Sequence, residues 1–144
     1  DIESLYSDSA VVRLKLIAPK QLEYENKDKE FPEGLYLEFY EKDGRMTTTL
    51  EANYCYYYHE SDRWRALRNV IVRNLENEEE LHTEELFWEP KKEIVYTNKF
   101  VRIETADEIL MGEGMEADQN FTWWRILDAR GTITLENEEG EPEE

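Results

Sequence analysis

The chain has 144 residues, a length that suits a single domain. Its formal net charge of −18 argues against nucleic acid and against anionic lipid surfaces as electrostatic partners, because both are bound through Lys and Arg. The sequence contains no run of about 18 or more apolar residues, so it predicts no membrane-spanning helix. The single cysteine, Cys55, excludes an intrachain disulfide, and its position within a tyrosine-rich stretch predicts a buried or half-buried thiol.

The N-terminal third begins with polar sequence and then alternates. Residues 1–10 predict a flexible, irregular N-terminal segment. Val11–Ala18 places apolar side chains at every second position, which predicts a half-buried strand that ends at Pro19. Residues 20–34 predict a charged connection to the next strand.

A hairpin follows, and its turn is the dipeptide Asp43-Gly44. Leu35, Leu37 and Phe39 are predicted to share one face of the first strand, and residues 45–58 predict one long return strand. Alternation places Cys55 on the polar face of the return strand. The apolar face of the return strand is predicted to comprise Leu50, Ala52, Tyr54, Tyr56 and Tyr58.

Residues 64–80 support two interpretations. Leu67, Ile71 and Leu75 lie four residues apart, and the Glu-rich sequence after them favours a helix. The β-branched run at residues 70–72 favours a strand instead. We predict a strand over residues 64–73, followed by a turn.

Residues 81–118 alternate between apolar and polar side chains through several short segments. Breaks are predicted at residues 89–92, 98–99 and 106–107. Alternation of this kind predicts a continuous antiparallel sheet with one apolar wall. Gly112 and Gly114 predict a strand bend or a close approach of another backbone.

No residue pattern for catalysis or for metal binding stands out. His59 and His82 lie in charged, turn-like sequence, and neither has a His, Cys or Asp at metal-ligand spacing. The serines lack a nucleophile-elbow context, and the glycine pair does not continue into a dinucleotide loop. The sequence therefore predicts no catalytic residue, no metal site and no cofactor.

Several segments, in their order and spacing, resemble the LptC family in its Bacteroidetes-like form. The resemblance spans residues 11–135. It rests on WRALRNVIV at 64–72, Leu81, TEELFW at 83–88, Ile94, Tyr96, FVRI at 100–103 and GEGMEAD at 112–118. LptC is the periplasmic component of the bacterial lipopolysaccharide export machinery. The resemblance implies an all-β protein, a twisted antiparallel β-jelly roll of the OstA/LptA type that is open along one side. The acidic tail, residues 136–144, lies outside it.

The resemblance also implies a function, partners and a location. A protein of this kind takes lipopolysaccharide from the inner-membrane ABC transporter of LptB, LptF and LptG and passes it to an LptA-like periplasmic protein. It is not an enzyme. It is periplasmic and is tethered to the inner membrane by an N-terminal segment. The chain begins at Asp1 rather than at a methionine, so we expect that a leader, an anchor or a tag has been removed.

The apolar faces then predict where the lipid A acyl chains and the next protein bind. Each predicted residue has ordinary core packing as its alternative. The acyl-chain trough is predicted to comprise Leu14, Leu16, Leu37, Phe39, Ala52, Tyr54, Tyr56, Ile103, Met115 and Ala117. The edge strand toward the LptA-like protein is predicted to include Trp124, Ile126, Thr132 and Leu135.

Two other functions remain open from the residues alone. A closed β-sandwich adaptor without a lipid ligand would bury the same apolar residues between two sheets. A carbohydrate-active jelly roll would use a carboxylate pair, and carboxylates are too numerous here to nominate one.

Overall fold

A computed structural model describes residues 1–8 and 11–135 of the chain. The acidic tail, residues 136–144, lies outside the described residues. The described part contains twelve strands and no helix, and every pairing is antiparallel. In chain order the strands are β1 (Ile2–Asp8), β2 (Val11–Ala18), β3 (Leu22–Glu23), β4 (Lys29–Phe31), β5 (Leu35–Tyr40), β6 (Met46–Ala52), β7 (Tyr54–Tyr58), β8 (Arg63–Asn74), β9 (Glu79–Glu89), β10 (Ile94–Glu104), β11 (Glu108–Asp118) and β12 (Trp124–Thr134).

The sheet forks at β8. The main order is β1-β2-β5-β6-β8-β9-β10-β11-β12, and a branch runs from β8 through β7 and β4 to β3. The C-terminal half of β8 pairs with β6, and its N-terminal half pairs with β7. Among the described strands, β1 and β12 do not pair with each other, so the sheet does not close into a barrel.

A row of backbone irregularities crosses the sheet next to this fork. Arg68 and Asn69 in β8 have φ angles of 67° and 56°, and the pairing of β8 with β9 shifts at these residues. The pairing of β10 shifts between Thr97 and Phe100, and Gly114 in β11 has a φ of 82°. Bulges bend a strand and increase its twist. Because the bulges lie on neighbouring strands, they bend the long strands together into two layers.

The two layers enclose one hydrophobic core. The first layer contains β1, β2, β5 and β6, the second contains β3, β4 and β7, and the long strands β8–β11 run through both. Leu37 of the first layer and Ala117 in the second layer belong to the same buried cluster. A hydrogen bond from Thr48 Oγ1 to the Asn120 carbonyl, 2.9 Å long, also joins β6 to the loop after β11.

Several predictions from the sequence are confirmed. The fold is all-β, with an open antiparallel sheet. The ambiguous stretch forms strand β8, and the hairpin turns at Asp43-Gly44 between β5 and β6. Gly112 and Gly114 fulfil both predicted roles. Gly114 has a positive φ, whereas a Cβ atom on Gly112 would lie 2.5 Å from the Asp128 carbonyl oxygen.

Other predictions are wrong. Residues 1–10 were expected to be irregular, but Ile2–Asp8 pairs with β2 along its whole length. The connection at residues 20–34 contains two short strands, β3 and β4. The predicted break at residues 98–99 is a bulge inside one continuous strand, β10. A bulge leaves residues unpaired in the same way that a turn does, so local sequence does not distinguish the two.

Candidate functional site

A cavity of about 540 Å³ opens between the two layers. One wall is formed by β1, β2 and β5, the other by β3, β4 and β7, and the turns after β9 and β11 complete one end. The volume lies within the range of about 300–1,000 Å³ that is typical of small-molecule sites.

Three aromatic rings form the floor of the cavity. The rings of Trp64 and Trp88 stack with centroids 5.5 Å apart, and the ring of Phe39 lies edge-on to Trp88 at 5.3 Å. All three side chains are buried. The Trp88 Nε1–H donates to Gln119 Oε1 over 2.9 Å, so the polar atom of this indole is satisfied at the end of the cavity. The floor is therefore apolar and firmly packed.

Tyr57 connects this floor to the polar mouth. Its ring lies 4.8 Å from that of Trp64 and 6.2 Å from that of His59. Its hydroxyl donates to Asp62 Oδ1 over 2.9 Å, and the Lys29 ammonium lies 6.0 Å from the ring centroid. Burial and the hydrogen bond to Asp62 raise the pKa of Tyr57 to about 12.

The opposite side of the mouth is formed by β2 and β5. Arg13 Nε donates to the Tyr40 carbonyl over 2.9 Å, which fixes the guanidinium at the rim. The Tyr40 hydroxyl donates to Glu38, and this hydrogen bond raises the pKa of Tyr40 to about 12. Tyr6 of β1 also lines the cavity. The site thus combines an apolar floor with a polar, charged entrance, an arrangement that suits an amphiphile.

A comparison with known protein families shows which family the chain belongs to. The family model described as "Lipopolysaccharide-assembly, LptC-related" matches residues 5–128. The chain belongs to the LptC family. Its membership places the chain in lipopolysaccharide transport across the bacterial cell envelope, as a relative of the transporter's periplasmic component. Among curated proteins, none matches the chain. Within residues 1–8 and 11–135, no helix is long and apolar enough to cross a membrane.

The predicted trough residues of this LptC-family chain fall into three groups. Two of them, Leu14 and Phe39, line the cavity. Tyr54 and Tyr56 lie on the outer face of β7, where their hydroxyls donate to Glu30 Oε2 and Asp28 Oδ2. The remaining six are buried in the core and do not line the cavity: Leu16, Leu37, Ala52, Ile103, Met115 and Ala117. Contact of any of the ten with lipid stays a prediction.

The predicted face of the tyrosine-rich strand is wrong, and a break at Asn53 explains the error. The strand splits there into β6 and β7, and the Asn53 N–H donates to the Arg68 carbonyl beside the bulge in β8. The extra residue exchanges the two faces, because a shift of one residue moves every side chain to the other side. Cys55 therefore points inward, and its burial raises the pKa of the thiol to about 12.

Tyrosine hydroxyls on the outer face of the second layer donate hydrogen bonds to two carboxylates. Hydrogen bonds from Tyr24 and Tyr54 lower the pKa of Glu30. The His59 backbone N–H and the Tyr56 hydroxyl lower the pKa of Asp28. These contacts stabilise the β3–β4 hairpin against β7 and so support one wall of the cavity.

Sequence reasoning missed the two tryptophans of the floor. Trp64 and Trp88 occupy inward positions on two strands that the sequence predicts, so a search for same-face aromatic residues on neighbouring strands could have found them. Arg13, Lys27 and Lys29 at the mouth carried no such signal. They are brought together only when the two layers fold against each other.

The predicted partner strand lies at an edge of the sheet. Among the described strands, β12 pairs with β11 alone. Trp124 and Ile126 pack partly against the core, whereas Thr132 and Leu135 are exposed. The Leu135 N–H donates to the Asp107 carbonyl over 2.7 Å. Because antiparallel hydrogen bonds alternate along a strand, the backbone groups of Thr132 then face away from β11.

One further group of side chains lies on the outer face of the first layer. Glu80, His82 and Glu104 bring one potential ligand atom each within 4.8 Å of one another. The sequence analysis missed this group because Glu104 belongs to the neighbouring strand. Both carboxylates are already paired, Glu80 with Arg73 and Glu104 with Arg102, at 2.9 Å in each case. The group is therefore better described as an ion-pair network across β8, β9 and β10.

Proposed function

We propose that this protein is a non-enzymatic carrier that binds lipopolysaccharide through its acyl chains and transfers it. It receives the lipid from the inner-membrane ABC transporter of LptB, LptF and LptG, and it passes the lipid to an LptA-like periplasmic protein. The observation that carries the proposal is the open, aromatic-floored cavity between the two layers of an LptC-family fold. An N-terminal segment before Asp1 tethers the protein to the inner membrane.

The partly open cavity suits a carrier on energetic grounds. Each buried methylene contributes about 0.8 kcal/mol, so a chain of ~12 carbons would gain on the order of 10 kcal/mol if it were fully desolvated. Binding of that strength from each of several chains would prevent release. A cavity that covers the chains in part, next to a partner that offers a similar surface, lets the lipid move on.

Strand β12 supports the direction of transfer. An edge strand presents unpaired backbone groups that accept a strand from another protein. Adding a strand of an LptA-like partner to β12 would continue the sheet and extend its inner face into the partner. The exposed side chains of Leu127 and Ile133 increase the apolar area that such a contact would cover.

Photo-crosslinking in cells tests the lipid site. A photoreactive residue at Leu14 or at Phe39, which line the cavity, should capture lipopolysaccharide. The matched control is Glu38, which neighbours Phe39 but faces outward and hydrogen-bonds Tyr40. Capture at Glu38 without capture at Phe39 would place the lipid on the wrong side of the sheet and overturn the proposal.

A binding measurement separates this function from that of an adaptor without lipid. The adaptor is favoured by one observation, namely that six of the predicted trough residues are sealed in the core. Lipid A that enters the cavity would contact Trp64 and Trp88 and change their fluorescence. A protein in which Trp123, half exposed on the surface, is replaced by Phe should show the same change. An adaptor predicts no change at any lipid concentration.

A further inference from the structure

A crossing loop, residues 119–123, joins β11 to β12 and runs from the second layer to the first. It starts in the second layer, where Gln119 Oε1 accepts a hydrogen bond of 2.9 Å from the Trp88 indole. Its middle contacts the first layer, where the Asn120 carbonyl accepts from the Thr48 hydroxyl of β6, also over 2.9 Å. The crossing loop therefore bridges the gap between the two layers.

A buried asparagine anchors the crossing loop to the first layer. Asn74, at the end of β8, is only 2% exposed, and its Nδ2 donates to the Phe121 carbonyl over 2.8 Å. Its Oδ1 accepts from the backbone N–H groups of Glu76 and Asn77, over 2.8 and 2.9 Å. Because a buried amide is costly without its hydrogen-bond partners, Asn74 favours the position in which the loop spans the gap.

Phe121 fills the space between the layers beneath the crossing loop. Its side chain is fully buried, and its ring stacks on that of Trp124 with centroids 6.3 Å apart. The Trp124 Nε1–H donates to Glu79 Oε1 at the start of β9, over 3.0 Å. The φ angle of Phe121 is 56°, a left-handed conformation that bulky residues seldom adopt. Strain of this kind persists only while surrounding contacts hold it, and it is found at ligand clamps and switch segments.

The crossing loop is held together by contacts of its own around Asp118. Asp118 Oδ1 accepts from the N–H groups of Thr122 and Trp123 over 2.7 and 2.9 Å, and Oδ2 accepts from the Thr122 hydroxyl over 2.7 Å. The Phe121 N–H donates to the Asp118 carbonyl over 2.9 Å. None of these four contacts involves the first layer. The loop can therefore leave the first layer as a folded unit, by breaking its hydrogen bonds to that layer.

The crossing loop lies between the cavity and the edge strand β12. Gln119 and Asn120 line the end of the cavity. Among the described residues that line it, none belongs to β10, β11 or β12. The proposed transfer nevertheless ends at β12. Acyl chains that move along the gap toward β12 therefore meet the crossing loop, with Phe121 beneath it.

We propose that the crossing loop is a gate between the cavity and the β12 edge, which is closed in this structure and opens when the lipid is passed on. This inference rests on the proposed function and adds the step that controls transfer. The closed loop stops the acyl chains at the end of the cavity, so the lipid is kept until the gate opens. Opening moves Phe121 out of the gap and releases the strain in its backbone.

A chemical bridge across the gate tests the proposal. Glu41 Oε2 of the first layer and Asn120 Nδ2 of the loop lie 3.4 Å apart. Glu41→Cys and Asn120→Cys, combined with Cys55→Ala, provide two thiols that a short bismaleimide can join. The control is the same protein with each thiol capped separately by N-ethylmaleimide. Tryptophan fluorescence measures binding of lipid A, and the appearance of fluorescent lipopolysaccharide on a purified LptA-like protein measures transfer.

The bridged protein should bind lipid A as the capped protein does but should lose most of its transfer. Equal transfer by the two proteins would overturn the gate and leave the carrier function intact. Loss of binding in the bridged protein alone would place the loop at the entrance of the cavity and would overturn its role at the exit. No binding by the unmodified protein would overturn the carrier function, and the gate with it.

Weakening the contact between the gate and the first layer should have the opposite effect. Thr48→Val removes one hydrogen bond to the crossing loop, so transfer should become about fivefold faster, as expected for the loss of one neutral hydrogen bond. The matched control is Thr49→Val, because Thr49 is also buried but its side chain points to the other face of β6. Transfer by Thr48→Val that is no faster than transfer by Thr49→Val would overturn the proposal that opening of the loop controls transfer.

Discussion

The ring of Phe39 lies edge-on against that of Trp88, with centroids 5.3 Å apart and the ring planes at 74°. Phe39 belongs to β5 and Trp88 to β9, two strands that are not hydrogen-bonded neighbours. The contact therefore joins the two layers through side chains alone, at the floor of the cavity. It fixes how far apart the layers stand and so how much space remains above it.

A double-mutant cycle measures what this contact contributes. Phe39→Leu and Trp88→Leu, alone and together, should show a coupling energy of about 0.5–1.5 kcal/mol in urea unfolding, as edge-to-face aromatic pairs do. Phe39→Leu combined with a change at the exposed Phe100 serves as the control and should be additive. Additivity for Phe39 and Trp88 would mean that the layers are held apart by other contacts.

Gly112 tests the close approach of β12 to β11. A Cβ atom at this position would lie 2.4 Å from Ile126 Cγ2 and 2.5 Å from the Asp128 carbonyl oxygen. Gly112→Ala should therefore lower the free energy of unfolding by about 1–3 kcal/mol, the range typical of overpacking. In Gly131→Ala the nearest atom is Met111 Cε at 3.7 Å, so this change in the same strand pair should be tolerated. Chemical denaturation of both variants checks the difference, and equal stability would contradict the geometry.

The tyrosines predict a loss of stability at high pH. The pKa values of Tyr56 and Tyr57 are raised from 10.0 to about 12, the first mainly by its hydrogen bond to Asp28 and the second mainly by burial. Because the folded pKa lies above the unfolded one, the contribution is complete below pH 10 and is lost as the pH rises from about 10 to 12. The urea midpoint should fall over this window, and it should fall less in Tyr57→Phe. Tyrosinate absorbance in a rapid titration should show the delayed ionisation, and ordinary titration of all nine tyrosines near pH 10 would refute the assignment.

Substitutions at Thr132 test whether a partner binds at β12, because they leave the side chains of the core unchanged. Thr132→Pro removes a backbone N–H that faces away from β11, so it should weaken binding of an LptA-like partner while β12 stays paired. Thr132→Ala keeps this N–H and should bind normally. Pull-down with the purified partner measures both. If proline has no effect although the fold is intact, the partner binds elsewhere, for example at β1 or β3, which also lie at edges among the described strands.

Much of the fold follows from local patterns. Alternation of apolar residues predicted β2 and β5, the β-branched run at residues 70–72 predicted β8, and the Asp43-Gly44 turn located the first hairpin. The error in the tyrosine-rich strand has a simple origin. Alternation predicts the face of each side chain only while the strand continues without a break. The break at Asn53 separates β6 from β7, so the side chains after it lie on the opposite faces from those predicted.

The candidate site was less accessible from the sequence than the fold. Leu14 and Phe39 were predicted from their alternation, and both line the cavity. Leu37 and Met115 have the same alternation but are sealed in the core. An apolar face identifies the side chains that are shielded from bulk water. It does not distinguish the side chains that pack in the core from those that line a cavity. That difference depends on how far apart the opposite layers stand.

The sequence by itself determined that the chain is a sheet with one apolar wall and that its segments match the LptC family. Only the tertiary structure decided where this wall stays uncovered and which charges surround the opening. The physical reason is that bulges at Arg68 and Asn69 and at Gly114 bend the strands and bring residues far apart in sequence to one cavity. The period-two pattern is a property of each strand, whereas the gap between two layers is a property of the whole sheet.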